Sequence, residues 1–338
     1  APGPRGVVWG RHHPHTTRPS KTLTPALSRR TGRGSKNERP MPIAPDNLFA
    51  GLDDIVEERA PLAPLTWYRI GGPARYLVRP RTPAELADVA RRCAEHAVPM
   101  RVLGLGANLL VADEGVDGAV IRLDADHWRQ VRVTGTTIEV GAGADLQKLV
   151  LRTVRAGLAG LECLAGIPGT VGGSVRMNAG GKFGDLGSVV SRVSVMDPAG
   201  NGFAREKGDL VFGYRSTNIS APFVLGATLE LEEDDPHRIL RRTKEIWMYK
   251  RNTQPLNTKS CGCVFKNPPG QSAGALIDAA GLKGTRVGGA EVSDKHANFV
   301  VAHPGCRSAD VLGLIRLIRE RVADRSGVEL ESEVQVWE

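Results

Sequence analysis

The stretch Lys259-Ser-Cys-Gly-Cys-Val-Phe-Lys-Asn-Pro268 sets two thiols one residue apart, then a lysine and an asparagine. Three chemistries use such a pair: metal ligation, a dithiol–disulfide couple, or a single thiol that gives up a proton. A structural zinc site needs a second Cys or His pair nearby, and the next histidine, His296, is 33 residues beyond Cys263. No metal site is expected. A C-x-x-C redox motif is absent, and a bond between positions i and i+2 would close a strained ring. A redox couple is not expected either. With an ordinary pKa of about 8.5, a thiol is roughly 90% protonated near pH 7.5 and is a far stronger acid than an alcohol. In an extended strand Cys261 would point the same way as Cys263 and pack beneath it as a bystander.

A second stretch, Gly160-Leu-Glu-Cys-Leu-Ala-Gly-Ile-Pro-Gly-Thr-Val-Gly-Gly-Ser-Val-Arg-Met-Asn-Ala-Gly-Gly181, places seven glycines and a proline in 22 residues. At that density the glycines lose too much chain entropy to sit in plain helix or strand. They permit positive φ and bring backbone N–H groups close to an anion such as a pyrophosphate. The alternative is a tight crossover between elements. Two common phosphate motifs are missing. Gly104-x-Gly106 lacks the third glycine of a dinucleotide fingerprint, and no G-x-x-x-x-G-K-[ST] occurs.

These loops need a scaffold, and the chain around them alternates helix and strand signals. Thr82-Pro83-Ala84-Glu85 predicts a helix start, running to about His96. "RVLGLGANLLV", "GAVIRL" and "TTIEVGAG" predict strands, and "DLQKLVLRTVRAG" a helix ended by Gly157. Further strands fall near 189–197 and 223–231. "DDPHRILRRTKEIWMYKRNTQP" predicts a helix with Ile239, Leu240, Ile246 and Trp247 on one side. "QSAGALIDAAGLKG" predicts a short helix, and "SADVLGLIRLIRERVADRSG" a longer one with Ser308 as N-cap and Gly327 past its end. In "GVELESEVQVW", Val328, Leu330, Val334 and Val336 alternate with Glu329, Glu331, Glu333 and Gln335, as in a half-buried strand. Interleaved elements without a repeat indicate α/β or α+β.

The net charge of +8 does not point to nucleic acid. Residues 1–40 hold nine of the 45 Lys and Arg and one of the 37 acids, so 41–338 hold 36 of each and are neutral. The tail is rich in Pro, Gly, Arg and Ser without apolar periodicity, which predicts disorder. We expect the native protein to start at Met41. No apolar run reaches the roughly 20 residues that span a bilayer, and no signal-peptide core is present, so no membrane and a cytoplasmic location are expected. Five cysteines spread over more than 200 residues fit a reduced compartment.

Several stretches in order, "TWYRIGGPARYLV", "VLGLGANLLVADEG", "GLAGLECLAGIPGTVGGSVRMNAG", "VFGYRSTNI", "TQPLNTKSCGCVFKNP", "GLKGTRVGGAEVSDKHANFVV" and "LESEV", resemble the UDP-N-acetylenolpyruvoylglucosamine reductase (UDP-N-acetylmuramate dehydrogenase) family over 48–338. The resemblance implies an α+β protein. A two-lobed FAD-binding fold of the vanillyl-alcohol-oxidase (PCMH-type) group is joined by a C-terminal α+β substrate-binding domain. The implied parts are a basic tail, 1–46; FAD lobes 47–123 and 124–252; a substrate domain, 253–327; and a C-terminal strand, 328–338, bearing the active-site glutamate.

It also implies the chemistry. Reduced FAD, charged by NADPH, delivers hydride from N5 to the enolpyruvyl ether of a UDP-sugar in peptidoglycan precursor synthesis. Charge then develops on the adjacent carbon and its carboxylate. By motif, Arg215 and Glu333 meet that charge and Cys263, where most relatives have serine, protonates the carbon. Alone, Arg215 would read as a surface ion-pair partner and Glu333 as a solvated strand residue. Flavin contacts fall to Gly104, Gly106, Asn108 and Leu109, and to Gly166, Ile167, Pro168, Gly169, Gly172, Gly173, Asn178 and Ala179. Asn267, Lys283 and His296 become substrate contacts. Their structural alternatives are a turn before Pro268, a surface lysine and a core histidine. With no tyrosine between the glycine-rich segment and Tyr214, the shorter type of the family is implied. One competing reading keeps FAD but oxidises an alcohol or sugar. A second makes the tail a nucleic-acid or membrane-surface arm.

Overall fold

The computed structural model describes residues 48–338; the basic tail and Met41 lie outside the described residues. Thr82 opens the first helix as its residue types require. Its hydroxyl accepts the Glu85 amide and Pro83 leads α1 (Pro83–Glu95). Leu86, Val89, Ala90 and Cys93 recur at helical spacing and are buried. They share a core with Tyr76, Val78, Ala119 and Ile121 from one face of a four-stranded sheet. Its order is Val56–Pro61, Pro73–Val78, Val116–Ile121, Met100–Val102; the first pair is antiparallel and the others parallel. Leu77, Val116 and Val120 on the opposite face pack with Leu109 and Val111.

The next short helix, α2 (Asp126–Arg129), buries Trp128, whose Nε1 donates to the Pro80 carbonyl at 2.6 Å. Asp145 caps α3 (Leu146–Arg155) by accepting the Lys148 amide. Beside α3 lies a five-stranded antiparallel sheet in the order Gly202–Glu206, Val190–Met196, Phe223–Glu230, Thr137–Gly141, Val131–Thr134. One apolar core runs from α1 through Trp128 to this sheet. Inside the glycine-rich stretch, Gly172 and Gly173 lie in a short helix, α4 (Val171–Arg176), against the expectation that such glycines avoid helix. Close packing explains the first of them, because a Cβ on Gly172 would sit 2.8 Å from the Ala142 Cβ.

The long helix α5 (Pro236–Thr253) buries Ile239, Thr243, Ile246 and Lys250, a stripe at i, i+4, i+7 and i+11. Trp247, expected on that face, is 41% exposed and carries the Arg251 guanidinium 5.2 Å above its ring. One residue beyond Ile246 is about 100° round the helix.

The C-terminal part has its own core, built by α6 (Ala273–Ala279), α7 (Ser308–Ser326) and a sheet of Arg286–Val287, Ala290–Val292 and Val300–Ala302. Ser308, expected as N-cap, is instead the first helical residue. It exchanges two hydrogen bonds with Asp113 of the first lobe: its hydroxyl accepts the Asp113 amide (3.0 Å) and its own amide donates to Asp113 Oδ1 (2.9 Å). Gly327 closes α7 at φ +68° as predicted.

The C-terminal run is not one strand. Only Gln335–Trp337 pairs, parallel to Leu109–Val111 of the first lobe. Upstream, Ser332 bridges Phe265. The Glu333 side chain, expected on the polar face, is 13% exposed, and the neighbouring Val334 is buried as well. Among the described residues no helix is long and apolar enough to cross a membrane.

Candidate active site

Arg215 sits at the turn of a tight hairpin, Phe212–Gly213 with Ser216–Thr217. Its φ of +54° is unusual for a residue with a side chain. Such a conformation costs on the order of 1–3 kcal/mol and persists only where the surroundings impose it. Asn178 is the constraint. It is buried, its Nδ2 donates to the Gly213 carbonyl and its Oδ1 accepts the Gly187 amide, each at 2.9 Å. The turn aims the guanidinium inward, 5.1 Å from the Tyr214 ring, with Nε donating to Glu333 Oε1 at 2.5 Å. The two terminal nitrogens bond no protein group among the described residues, so the fork that can hold a carboxylate is available.

Glu333 is held by backbone on both sides. Its amide donates to the Val264 carbonyl at 2.7 Å and its carbonyl accepts Asn108 Nδ2 at 3.0 Å. Burial raises the pKa of its carboxyl, opposed by Arg215. Cys263 bridges Phe299 on one side, while the adjoining Val264 carbonyl receives Glu333 on the other. Its thiol is pushed up to about 12 by burial and by the nearby Glu333 charge, against the pull of Arg215. The sequence predicted an ordinary thiol; the site makes it a more firmly protonated one. The three predicted catalytic residues are therefore neighbours, drawn from three separate segments.

Cys261 is not stacked under Cys263 in a regular strand, because Gly262 between them has φ +83°. Instead Cys261 joins the C-terminal core beside the buried Tyr68.

The glycine loops fit a bound FAD. Gly106 has φ +64°, and a Cβ there would run into the Leu65 carbonyl. A Cβ on Gly104 would press on the Thr170 hydroxyl at 2.7 Å, so the two glycine-bearing loops touch. The amides of Gly104 to Asn108 donate to no protein group among the described residues, a row of free N–H groups suited to a diphosphate. Several predicted flavin residues also bond or pack within the protein. The Leu109 side chain packs in the core, Asn108 Nδ2 is engaged with Glu333, the Gly172 amide donates to Ala142, the Ala179 amide donates to Ser174, and Asn178 serves the Arg215 hairpin. Gly166, Ile167, Pro168, Gly169 and Gly173 line the second loop, and Gly169 and Gly173 have no backbone within 4 Å of where a Cβ would project.

Asn267, Lys283 and His296 gather around α6. Asn267 Oδ1 accepts the Ala273 amide, Lys283 pairs with Asp278 at 2.6 Å, and a Cβ on Gly274 would lie 3.2 Å from the His296 ring. The His296 Nδ1 accepts the Asn298 amide, and burial lowers its pKa, with the Lys283 cation adding to the shift. All three thus have protein partners, and only the His296 bond to a backbone amide is of the kind foreseen for a structural role.

Three residues of the site were not singled out from the sequence. Tyr214 accepts the Asn267 amide at 3.2 Å, linking the Arg215 hairpin to the Phe265–Pro268 segment. Gln147 on α3 binds the Gly166 loop, and Lys250 on α5 reaches the Ala165 carbonyl. No sequence signal marked Lys250, since a lysine on a helix reads as a solvated position.

Residues 74–203 match the family model described as FAD binding domain, and residues 254–337 that of the UDP-N-acetylenolpyruvoylglucosamine reductase C-terminal domain. The chain is 46% identical to the UDP-N-acetylenolpyruvoylglucosamine reductase of Anaeromyxobacter sp., over 82% of this chain and 87% of that protein. It is 44% identical to that of Moorella thermoacetica, over 86% and 96%. The crystal structure of the Thermus caldophilus reductase superposes with a TM-score of 0.72 at 43% identity, covering 84% of this chain and 99% of that one. With the glycine loops and the Arg215–Glu333–Cys263 group in place, the chain belongs to the UDP-N-acetylenolpyruvoylglucosamine reductase family.

Proposed function

We propose that the chain uses NADPH and FAD to reduce the enolpyruvyl ether of UDP-N-acetylglucosamine-enolpyruvate to UDP-N-acetylmuramate, with Arg215, Glu333 and Cys263 as its catalytic residues. The observation that carries this is the convergence of a forked cation, a carboxyl of raised pKa and a protonated thiol on one spot. Bound FAD supplies the hydride. The free fork of Arg215 holds the substrate carboxylate and meets the charge that spreads onto it. Glu333 orients the guanidinium through Nε and, when protonated, donates a second hydrogen bond to the same carboxylate. The Cys263 thiol then gives its proton to the carbon. The thiolate left behind is disfavoured by burial and by Glu333, so at equilibrium the group takes a proton back.

In this reading the lobes 47–123 and 124–252 hold FAD, and 253–327 covers the UDP-sugar. Asn267, Lys283 and His296 face the nucleotide sugar. Lys283 suits a diphosphate, since an ammonium pairs with it as a point charge. The glycine-rich segment runs into a short hairpin, Gly180–Gly181 with Gly184–Asp185, which supports the shorter type of the family. A cytoplasmic setting suits five free thiols.

The test separates half-reactions. Cys263→Ala should bind FAD and be reduced by NADPH at the wild-type rate, while reoxidation by substrate slows about 10²–10⁴-fold. Equal loss in both half-reactions, followed by stopped-flow absorbance, would remove Cys263 from the acid role.

A further inference from the structure

The fourth residue of the buried α5 stripe is a cation. Lys250 is 6% exposed, follows Ile239, Thr243 and Ile246 in the helical pattern, and occupies a place where a core helix ordinarily carries an apolar side chain. Burying an ammonium is costly unless it is paired, yet among the described residues no carboxylate pairs with it. Glu162, the acid of the adjoining segment, is bonded to Arg242 at 2.9 Å and to the Gly160 amide at 2.7 Å. Asp185 of the nearby hairpin forms no salt bridge with Lys250 either. The charged and titratable groups that act on Lys250 are Cys163 and a second cation, Arg215. Burial first, and Arg215 after it, lower the Lys250 pKa to about 8.

Among the described residues its one acceptor is the Ala165 carbonyl, 2.6 Å from Nζ. That carbonyl lies in the turn leading into the FAD loop, and other backbone groups of the turn are fastened by Gln147. Gln147 Oε1 accepts the Gly166 amide at 2.7 Å, and Gln147 Nε2 donates to the Leu164 and Ile167 carbonyls at 3.0 and 2.6 Å. The Lys250 stem fills the space beside Gly166: a Cβ there would meet Lys250 Cδ at 3.3 Å. Gln147 supplies shape alone. Lys250 supplies shape and a charge, with two further N–H donors beyond the one Ala165 uses.

We propose that Lys250 is a positioning residue for the flavin, fastening the Leu164–Ile167 turn through Ala165 and lending the pocket a positive charge that favours the anionic reduced flavin over the oxidised form. The inference rests on the FAD reading above, which fails separately if the wild-type chain takes up no FAD.

Three variants and one profile test it: Lys250→Met, Lys250→Arg and Gln147→Leu, each titrated with oxidised and reduced FAD, and the wild-type midpoint potential followed with pH. Lys250→Met should weaken oxidised FAD about tenfold and reduced FAD about a hundredfold. The additional tenfold corresponds to about 30 mV for a two-electron couple. Gln147→Leu should weaken both forms equally. Lys250→Arg should keep the wild-type preference for reduced flavin and lose the break near pH 8 that the wild-type potential shows. The proposal is overturned if Lys250→Met binds both flavin forms as wild type and only raises KM for the UDP-sugar. It is also overturned if Lys250→Met and Gln147→Leu weaken both forms alike with no change in potential, or if the wild-type potential shows no feature near pH 8 that arginine removes. The wild-type profile needs no variant to fold.

Discussion

At the residue scale, the site works by controlling protons as much as charges. A thiol with a pKa of about 12 stays protonated across the working range, so it adds no alkaline limb to the rate. Cys263→Ser should therefore give a kcat/KM profile whose alkaline limb has the same midpoint as wild type, although the rate is lower throughout. A midpoint that moves with this substitution would show that the thiol titrates within the range. The Arg215–Glu333 pair has a different demand, which is geometry. Arg215→Lys keeps the charge and loses the fork, and should reduce kcat for the substrate half-reaction by about 10²–10³ with FAD affinity unchanged. The measurement is single-turnover reoxidation of prereduced enzyme.

At the element scale, a two-stranded hairpin with a strained turn carries the catalytic cation, and a buried asparagine holds it. Asn178→Ala would take a hydrogen-bond partner from the Gly213 carbonyl and from the Gly187 amide, a loss on the order of 2–6 kcal/mol at about 1–3 per unsatisfied group. Thermal unfolding should register that loss. The substrate half-reaction should slow as well, because the left-handed Arg215 turn would relax. Asn178 was expected among the flavin contacts from its motif. The motif did not foresee its structural bonds: Gly187 and Gly213 are 9 and 35 residues away in the chain, so no local pattern announces them.

At the scale of the whole molecule, the C-terminal part is fastened to the first lobe at two places. One is the parallel pairing of Gln335–Trp337 on Leu109–Val111, which delivers Glu333 beside Arg215. The other is Asp113 at the start of α7, where its carboxylate accepts the Ser308 amide and pairs with Arg307 at 3.4 Å. Burial works to raise the Asp113 pKa, but hydrogen bonds from Ser308 and Ala309 and the Arg307 charge outweigh it, so the folded value is depressed. A depressed carboxyl stabilises the fold above its unfolded pKa of about 3.9, and that contribution is lost as pH falls through the lower folded value. Asp113→Ala should cost about 0.5–2 kcal/mol near neutrality, as for loss of a helix cap. The difference from wild type should shrink as the pH is lowered below about 4. A difference that does not depend on pH would show that packing, not charge, accounts for the loss.

Local chemistry was readable from residue order. Thr82, Gly157 and Gly327 bound their helices as predicted, since caps depend on a few adjacent residues, and the loops and motifs that identify the family are contiguous in the chain. Tertiary structure decided what no contiguous segment holds. It buried Glu333 where alternation placed it in solvent, turned Trp247 outward and Lys250 inward, and raised the Cys263 thiol far above its ordinary value. The physical reason is one of range. Backbone capping acts over about four residues, whereas burial and the field of a distant charge depend on which segments the fold brings together.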